Sequence, residues 1–308
     1  MPAHRSKPIP ALYTVYILRS TVRLASLYIG STPHPPRRLK QHNGEAKGGA
    51  AHTSQSRLRP WQMVGIVSGF PGMVAALKFE WALANPHLSL HIPAQSRISK
   101  STARKRNGRP KRPTTNITSI LSNLHLLLRV PSFARWPLSL HFFAAEVHQI
   151  WQKCCHAADE PIRDTIRVLT DFGRARTGDE PWGIHALPLD YAPMKDYVAK
   201  ARSIFEFERE GACVVCGEDL PPGQGLYAVC SNTGCEGVGH ISCWSRHMLG
   251  EKNNDHVLPI TGQCPKCKRN LVWGDMMKEL TLRIRGPKEV DRLLKKPRRR
   301  KAQAESDG

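Results

Sequence analysis

The stretch YTVYILRSTVRLASLYIGSTPHPPRRLKQHNG, residues 13–44, decides how the first half of the chain folds. Two runs in it, YTVYIL (13–18) and SLYIG (26–30), have the length and the β-branched, aromatic composition of strands. The prolines that follow open a helix well, because their fixed φ is helical and an N–H at that position would go unbonded in any case. Asn-Gly closes one, so Arg37 to His42 is expected to be a short helix. Farther on, QMVGIV (62–67) reads as a third strand. PGMVAALKFEWALANP reads as a helix from Met73 to Ala84, stopped ahead of Pro86. The expected unit is β-β-α-β-α, a three-stranded sheet flanked by helices, over residues 11–92.

Charge is distributed unevenly around this unit. The chain of 308 residues has a net charge of +21. Residues 1–145 alone hold twenty-one Lys and Arg against two acids, Glu45 and Glu80, a net of +19. A domain so basic repels itself unless a polyanion offsets it, and a polyphosphate is the usual one. Residues 97–115, RISKSTARKRNGRPKRPTT, form a basic Pro/Gly-punctuated segment expected to order on a ligand; Arg104, Lys105 and Arg106 are its candidate DNA contacts. ITSILSNLHLLL and LHFFAAEVHQIWQKCC are expected as two helices packed on the first domain, so 93–156 reads as a basic segment and helical extension. Residues 157–210 read as a linker and connecting helix, 211–270 as a cysteine module, and 271–308 as a basic tail ending in LLKKPRRRK. No stretch approaches bilayer-spanning length, and MPAHRSKPIP has no apolar leader region. The expectation is a soluble nuclear protein with no membrane partner.

The acid-poor half limits its own chemistry. A two-metal phosphodiester site needs several carboxylates, and only two acids are present. One divalent ion on one carboxylate remains feasible, and a hard cation that keeps several waters suits it. Glu80 is the candidate: Ala76, Leu77 and Leu83 stand three and four residues away, so it borders an apolar face. The plain alternative is an ion pair with one of the many arginines. Arg38 and His42 are four apart and share a helix face. Tyr28 lies near the end of the second strand, with Gly30 beside it. Arg offers a planar fork to phosphate oxygens, and Tyr and His can move protons.

Seven of the nine cysteines lie between Cys213 and Cys267, which reads as metal ligation. The ligands run Cys213-x2-Cys216, Cys230-x4-Cys235, His240-x2-Cys243 and Cys264-x2-Cys267, enough for two closed tetrahedral, structural zinc sites. In the cross-braced arrangement of RING-type and PHD-type modules, Cys213, Cys216, His240 and Cys243 would bind one ion. Cys230, Cys235, Cys264 and Cys267 would bind the other. Cys154 and Cys155 are expected to be buried thiols. Val215 and Pro265 are compatible with a ubiquitin ligase, whereas Gly262 stands where a histone-tail reader offers an aromatic residue.

Tyr16 in TVYIL, followed eleven residues later by Tyr28-Ile29-Gly30, resembles the signature of the GIY-YIG nucleases. RRLKQHNG and the Glu of FEW are similar to their later motifs. Thr14 and Val15 stand in place of Gly-Ile, but both suit a strand and the tyrosine is kept. The fuller string, with the cysteine module, looks like the catalytic subunits of eukaryotic structure-selective endonucleases that work with a large repair scaffold. The overall expectation is an α+β fold: a small nuclease domain, a helical extension and a cross-braced zinc finger. The resemblance implies that Arg38 stabilises the phosphorane-like state and Glu80 holds a single Mg²⁺ or Mn²⁺. It also implies that Tyr16, Tyr28 and His42 position or deprotonate water, with the general base left open among them. Arg37 and Lys40 join the DNA contacts. The implied substrate is duplex DNA nicked near flaps, forks and four-way junctions during repair, and the implied partner is the scaffold subunit, bound through the zinc finger as a heterodimer. The rival reading is a chromatin or ubiquitin adaptor that holds DNA without cutting it.

Overall fold

The computed structural model describes residues 7–100, 103–104, 106–108, 113–134, 136–173, 181–206, 211–223, 225–250 and 258–295. Lys105, residues 109–112 and the basic end of the tail fall outside that set, so the expectations placed on them have no structural counterpart. In chain order, the first elements are Thr14–Ser20 (β1), Leu27–Thr32 (β2), Pro35–Asn43 (α1), Trp61–Ser68 (β3) and Met73–Ala84 (α2). Next come Ile117–Arg129 (α3), Pro131–Ala134 (α4), Ser139–Phe142 (β4), Ala145–His156 (α5), Arg167–Thr170 (β5) and Lys195–Glu206 (α6). The remainder is Tyr227–Val229 (β6), Val238–His240 (β7), Ile241–Leu249 (α7), Thr261–Gln263 (β8), Asn270–Val272 (β9), Trp273–Arg285 (α8) and Pro287–Leu294 (α9).

The three expected strands and the two expected helices of the first unit are all present. The sheet, however, has five strands in the order β2-β1-β3-β4-β5. β4 pairs antiparallel to β3, and β5 pairs parallel to β4. Two expectations are corrected here. Residues 139–142 are a strand, so the second helix of the extension starts only at Ala145. The linker region also contains β5. The reason is hydrogen bonding: β3 would otherwise present an open row of N–H and C=O groups, and β4 covers it.

Val15 and Ile17 of β1 face one core, shared with Phe79 and Leu83 of α2, Leu121, Leu124 and Leu128 of α3, and Val147 and Trp151 of α5. α3 starts from a reciprocal cap in which Asn116 Oδ1 accepts from Ser119 N, and such a cap contributes about 1 kcal/mol. Tyr16 and Leu18, pointing the other way as strand alternation requires, pack with Trp61, Met63, Ile66, Phe143 and Ile184. The sheet therefore separates two apolar layers, and the residues of interest stand on the second. No helix among the described residues is long and apolar enough to cross a membrane.

Candidate active site and metal centres

α1 forms because His34 Nδ1 accepts from Arg37 N (3.2 Å), Pro35 and Pro36 fill the first turn, and Gly44 takes the left-handed φ of 83° that ends it. This short helix sets Arg38, Gln41 and His42 over the β1–β2 edge. Thr53 spends its hydroxyl proton on the Ala50 carbonyl (2.9 Å), so its oxygen accepts from His42 Nδ1 (2.7 Å). Nε2 of His42 is then the unprotonated nitrogen, and the Tyr16 hydroxyl donates to it (2.8 Å). Arg38 Nε donates in turn to the Tyr16 oxygen (3.1 Å). Arg38 Nη1 donates to Gln41 Oε1 (2.8 Å) and to the Gly48 carbonyl (2.7 Å). One continuous chain thus runs from Ala50 through Thr53, His42 and Tyr16 to Arg38.

Burial pushes the Tyr16 phenol up to about 12, against the lowering pull of Arg38. Burial pushes His42 down to about 4, helped by the charges of Arg38 and Arg59. Both groups are therefore neutral near pH 7. Burial opposes the Arg38 charge, but its bond to Tyr16 and the fields of Tyr16 and Tyr28 outweigh that and hold the guanidinium above its ordinary value. Tyr16 and His42 are fully buried, whereas Tyr28 is half-buried, with its ring centroid 5.1 Å from His42 and 6.2 Å from His52. Tyr28 is the phenol ring on the open side. Gly30 pairs directly with Tyr16 across β1 and β2, and a Cβ there would lie 2.5 Å from the Tyr16 oxygen. Only glycine leaves that hydroxyl room.

Arg38, Arg37 and Gln41 wall a cleft of about 250 Å³ with Ser31 to His34. Arg37 and Lys40 are exposed on the outer face of α1; Arg104 and Arg106 are exposed too, the former bonded to the Gly108 carbonyl (2.9 Å). Glu80 stands half-exposed at the margin between the buried and open faces of α2, near enough to Tyr16 for its charge to raise the phenol. No cation pairs with its carboxylate among the described residues, so the ion-pair alternative finds no partner there. A solvent-reached carboxylate close to the Tyr16–Arg38 pair suits a hydrated divalent ion. The structure thus brings Tyr16, Tyr28, Arg38 and His42 together; Glu80 is not among the residues that wall the cleft and is linked to them through the effect of its charge on Tyr16. Gln41, Thr53 and Arg59 complete the site and were not anticipated. A Thr in a polar loop gives no sequence signal, while Gln41 was readable as the neighbour of Arg38 three residues along α1.

The cysteine module sorts its eight ligands as the cross-braced arrangement requires. Cys213, Cys216, His240 and Cys243 form one cluster; Cys230, Cys235, Cys264 and Cys267 form the other. Cys230–Cys267 and Cys235–Cys264 are separated by 3.9 and 3.8 Å between sulfurs. His240 Nδ1 lies 3.6 Å from Cys216 and 3.8 Å from Cys243. A tetrahedron with metal–sulfur bonds of about 2.3 Å has edges of about 3.8 Å, and a nitrogen corner shortens them to about 3.6 Å. The residues fit an ion at each cluster. Lys200 of α6 braces the second by donating to the carbonyls of Cys230, Asn232 and Cys235 (2.6, 2.8 and 2.9 Å).

Comparison with known proteins follows the same division. Residues 12–91 match the GIY-YIG catalytic domain, and residues 212–277 match the C-terminal domain of structure-specific endonuclease subunit SLX1. The chain is similar to the structure-specific endonuclease subunit SLX1 of Chaetomium globosum, 59% identical over 311 residues that cover 95% of this chain and 96% of that protein. The same-named protein of Podospora anserina is 58% identical over 324 residues, 96% of this chain and 94% of its own length. That of Neurospora crassa is 52% identical over 333 residues, 94% and 83%. With a nuclease-type cleft in one half and a paired-cluster module in the other, each matched by its own family model, the chain belongs to the SLX1 family of structure-specific endonuclease subunits.

Proposed function

We propose that this subunit nicks duplex DNA beside branch points, at flaps, forks and four-way junctions, during repair and recombination in the nucleus. Arg38 carries the reading. Its guanidinium is fixed by three protein hydrogen bonds at the wall of a cleft, with the open carboxylate of Glu80 close to the same phenol that Arg38 bonds. Such a preorganised cation is what a developing phosphorane charge needs. Glu80 would hold a Mg²⁺ or Mn²⁺ ion, which supplies a Lewis acid and a water of lowered pKa when bound. His42 is sealed from solvent, so it acts by setting the direction of the Tyr16 hydroxyl. Tyr28 presents its phenol ring to the cleft side. Arg37, Lys40, Arg104 and Arg106 would neutralise phosphates along the DNA arms. The adaptor reading has no support among the relatives.

Zinc is the ion proposed for both clusters, since closed sets of four thiolates, or of three thiolates and one imidazole, are its structural habit. The module is proposed to dock the scaffold subunit. A groove of about 530 Å³ beside it, walled by Phe205, Val214, Leu220 and Val238, offers apolar surface for a partner segment. Matched flap, junction and linear duplexes incubated with Mg²⁺ test the function. Nicks are expected near branches with wild type. Glu80→Gln should keep its affinity but lose rate down to undetectable product, each tenfold loss being about 1.4 kcal/mol of transition-state stabilisation. Full-rate cutting by Glu80→Gln would overturn the assignment.

A further inference from the structure

The apolar layer around Tyr16 is not closed by the unit that carries it. Tyr16, Leu18, Leu58, Trp61, Met63 and Ile66 come from residues 11–92, but Phe143, Ile184 and Leu187 pack into the same layer from far along the chain. Ile184 is 7% exposed and sits in a turn of 3-10 helix, Gly183–His185, within the region that reads as a linker. That turn runs alongside α1, with Cα atoms of the two elements within 8 Å of each other. α1 needs such a neighbour. It has nine residues, fewer than a helix needs to be stable by itself, and Leu39 is the apolar side chain it places in the layer.

The turn is fastened to the sheet by Asp171, the residue after β5. Asp171 N donates to the Phe142 carbonyl (2.9 Å), which fixes it at the end of β4. Its carboxylate accepts from Gly183 N (2.6 Å) and from Gly173 N (3.4 Å). Both glycines have left-handed φ, 62° at Gly173 and 59° at Gly183. A Cβ at Gly173 would lie 2.3 Å from the Trp182 ring, so the indole rests directly on that glycine. A connection that only joined two domains would need neither a carboxylate aimed at two backbone N–H groups nor a buried isoleucine at its centre. We propose that the segment from Trp182 to Leu187, clasped by Asp171, is a strap that holds α1 against the sheet, and that Ile184 is a positioning residue for the nuclease reaction. Ile184 is buried and acts through the layer rather than on DNA. With it in place α1 cannot rock away from β1, so the Tyr16 hydroxyl stays 2.8 Å from His42 and 3.1 Å from Arg38. Both bonds run from β1 to α1, and a small shift between the two elements breaks them. The catalytic part of the inference rests on the cleft being a phosphodiester site.

The test uses the full chain with isotope-labelled histidine. The His42 Nδ1 proton, held by Thr53 inside the fold, gives an imidazole signal that reports the fit of α1 on β1 without any chemistry. Its loss in His42→Gln identifies it. Ile184→Ala is expected to shift or broaden that signal, and Ile184→Val to leave it in place. With Mg²⁺ and a flap duplex, Ile184→Ala should lower the single-turnover nicking rate at saturating protein about tenfold, while flap affinity in EDTA stays within about twofold. Ile184→Val should restore the rate. Asp171→Ala opens the clasp without leaving a cavity in the layer and should reproduce both effects, which keeps the test decisive where Ile184→Ala does not fold. An unmoved His42 signal in Asp171→Ala overturns the proposal. So does a loss that resides in DNA affinity, or a rate deficit that vanishes once normalised to the folded fraction, since these would make the strap a DNA contact or a stabiliser alone. A wild type that cuts nothing would end the nuclease reading and leave the His42 signal to judge the strap, so the two fail separately.

Discussion

Thr53 commits its proton to the Ala50 carbonyl, and every hydrogen downstream follows from that one choice: His42 protonated on Nδ1, Tyr16 donating to Nε2, Arg38 donating to Tyr16. A titratable ring enclosed in its neutral form links this order to stability. His42 has a pKa of about 4 in the fold against 6.5 as its ordinary value, so between those limits the unfolded chain binds the extra proton. Its contribution is complete above about pH 6.5 and is lost as pH falls toward 4. Denaturant unfolding from pH 7.5 to 4.5 should show wild type losing on the order of 2 kcal/mol more than His42→Gln. Parallel curves for the two proteins would mean that the ring is not held neutral. Arg38 and His42 were legible because four residues on a helix fix a shared face. Thr53 was not, since a loop of about ten residues separates it from α1 and only folding closes that gap.

β1 and β2 meet where Tyr16 leans over Gly30, and the pairing register leaves no alternative to glycine there. In Gly30→Ala the new methyl meets Tyr16 oxygen at 2.5 Å and Tyr28 Cε1 at 2.9 Å. Tyr16 is buried and bonded on both sides, so it cannot swing clear. The variant should lose about 1–3 kcal/mol in denaturant unfolding and, where still folded, nearly all nicking. Wild-type nicking by Gly30→Ala would show that the Tyr16 hydroxyl can move without consequence. Elements with a strong internal period were readable: α1 from its prolines and Asn-Gly, α2 from the length of its apolar run. β4 was not. Ser139-Leu140-His141-Phe142 is four residues beside a helical pattern, and it becomes a strand because β3 offers it a ladder. β5 carries even less signal, with all four residues exposed.

The two halves of the molecule are stabilised by different means. The sheet and α2, α3 and α5 share an apolar core, while the module packs Ala228, Trp244, Leu271 and Met276 around its cysteines. The N-terminal segment ties them together: Ile9 N donates to Thr281 Oγ1 (3.1 Å), and Tyr191 donates to the Ile9 carbonyl (2.5 Å). A module of that size has little core of its own, so ion binding is much of its folding free energy. A zinc-selective chelator should therefore release about two metal equivalents and expose residues 211–295 to hydrogen exchange, with β1, β3 and α3 still protected. Loss of protection throughout the chain would mean that the tie through Ile9 makes one cooperative unit.

Short-range chemistry came from the sequence by itself: the two strands and the helix of residues 13–44, the candidate carboxylate of Glu80, and the eight ligands with their spacing. Those depend on backbone propensity and on residue types that few other roles explain. The tertiary structure alone decided the fourth and fifth strands, the tautomer of His42, the sealing of Tyr16 and the packing of the Ile184 turn beside α1. Each of these depends on what is packed or left unpacked against a surface, and a one-dimensional pattern shows a helix its own faces but never its neighbours.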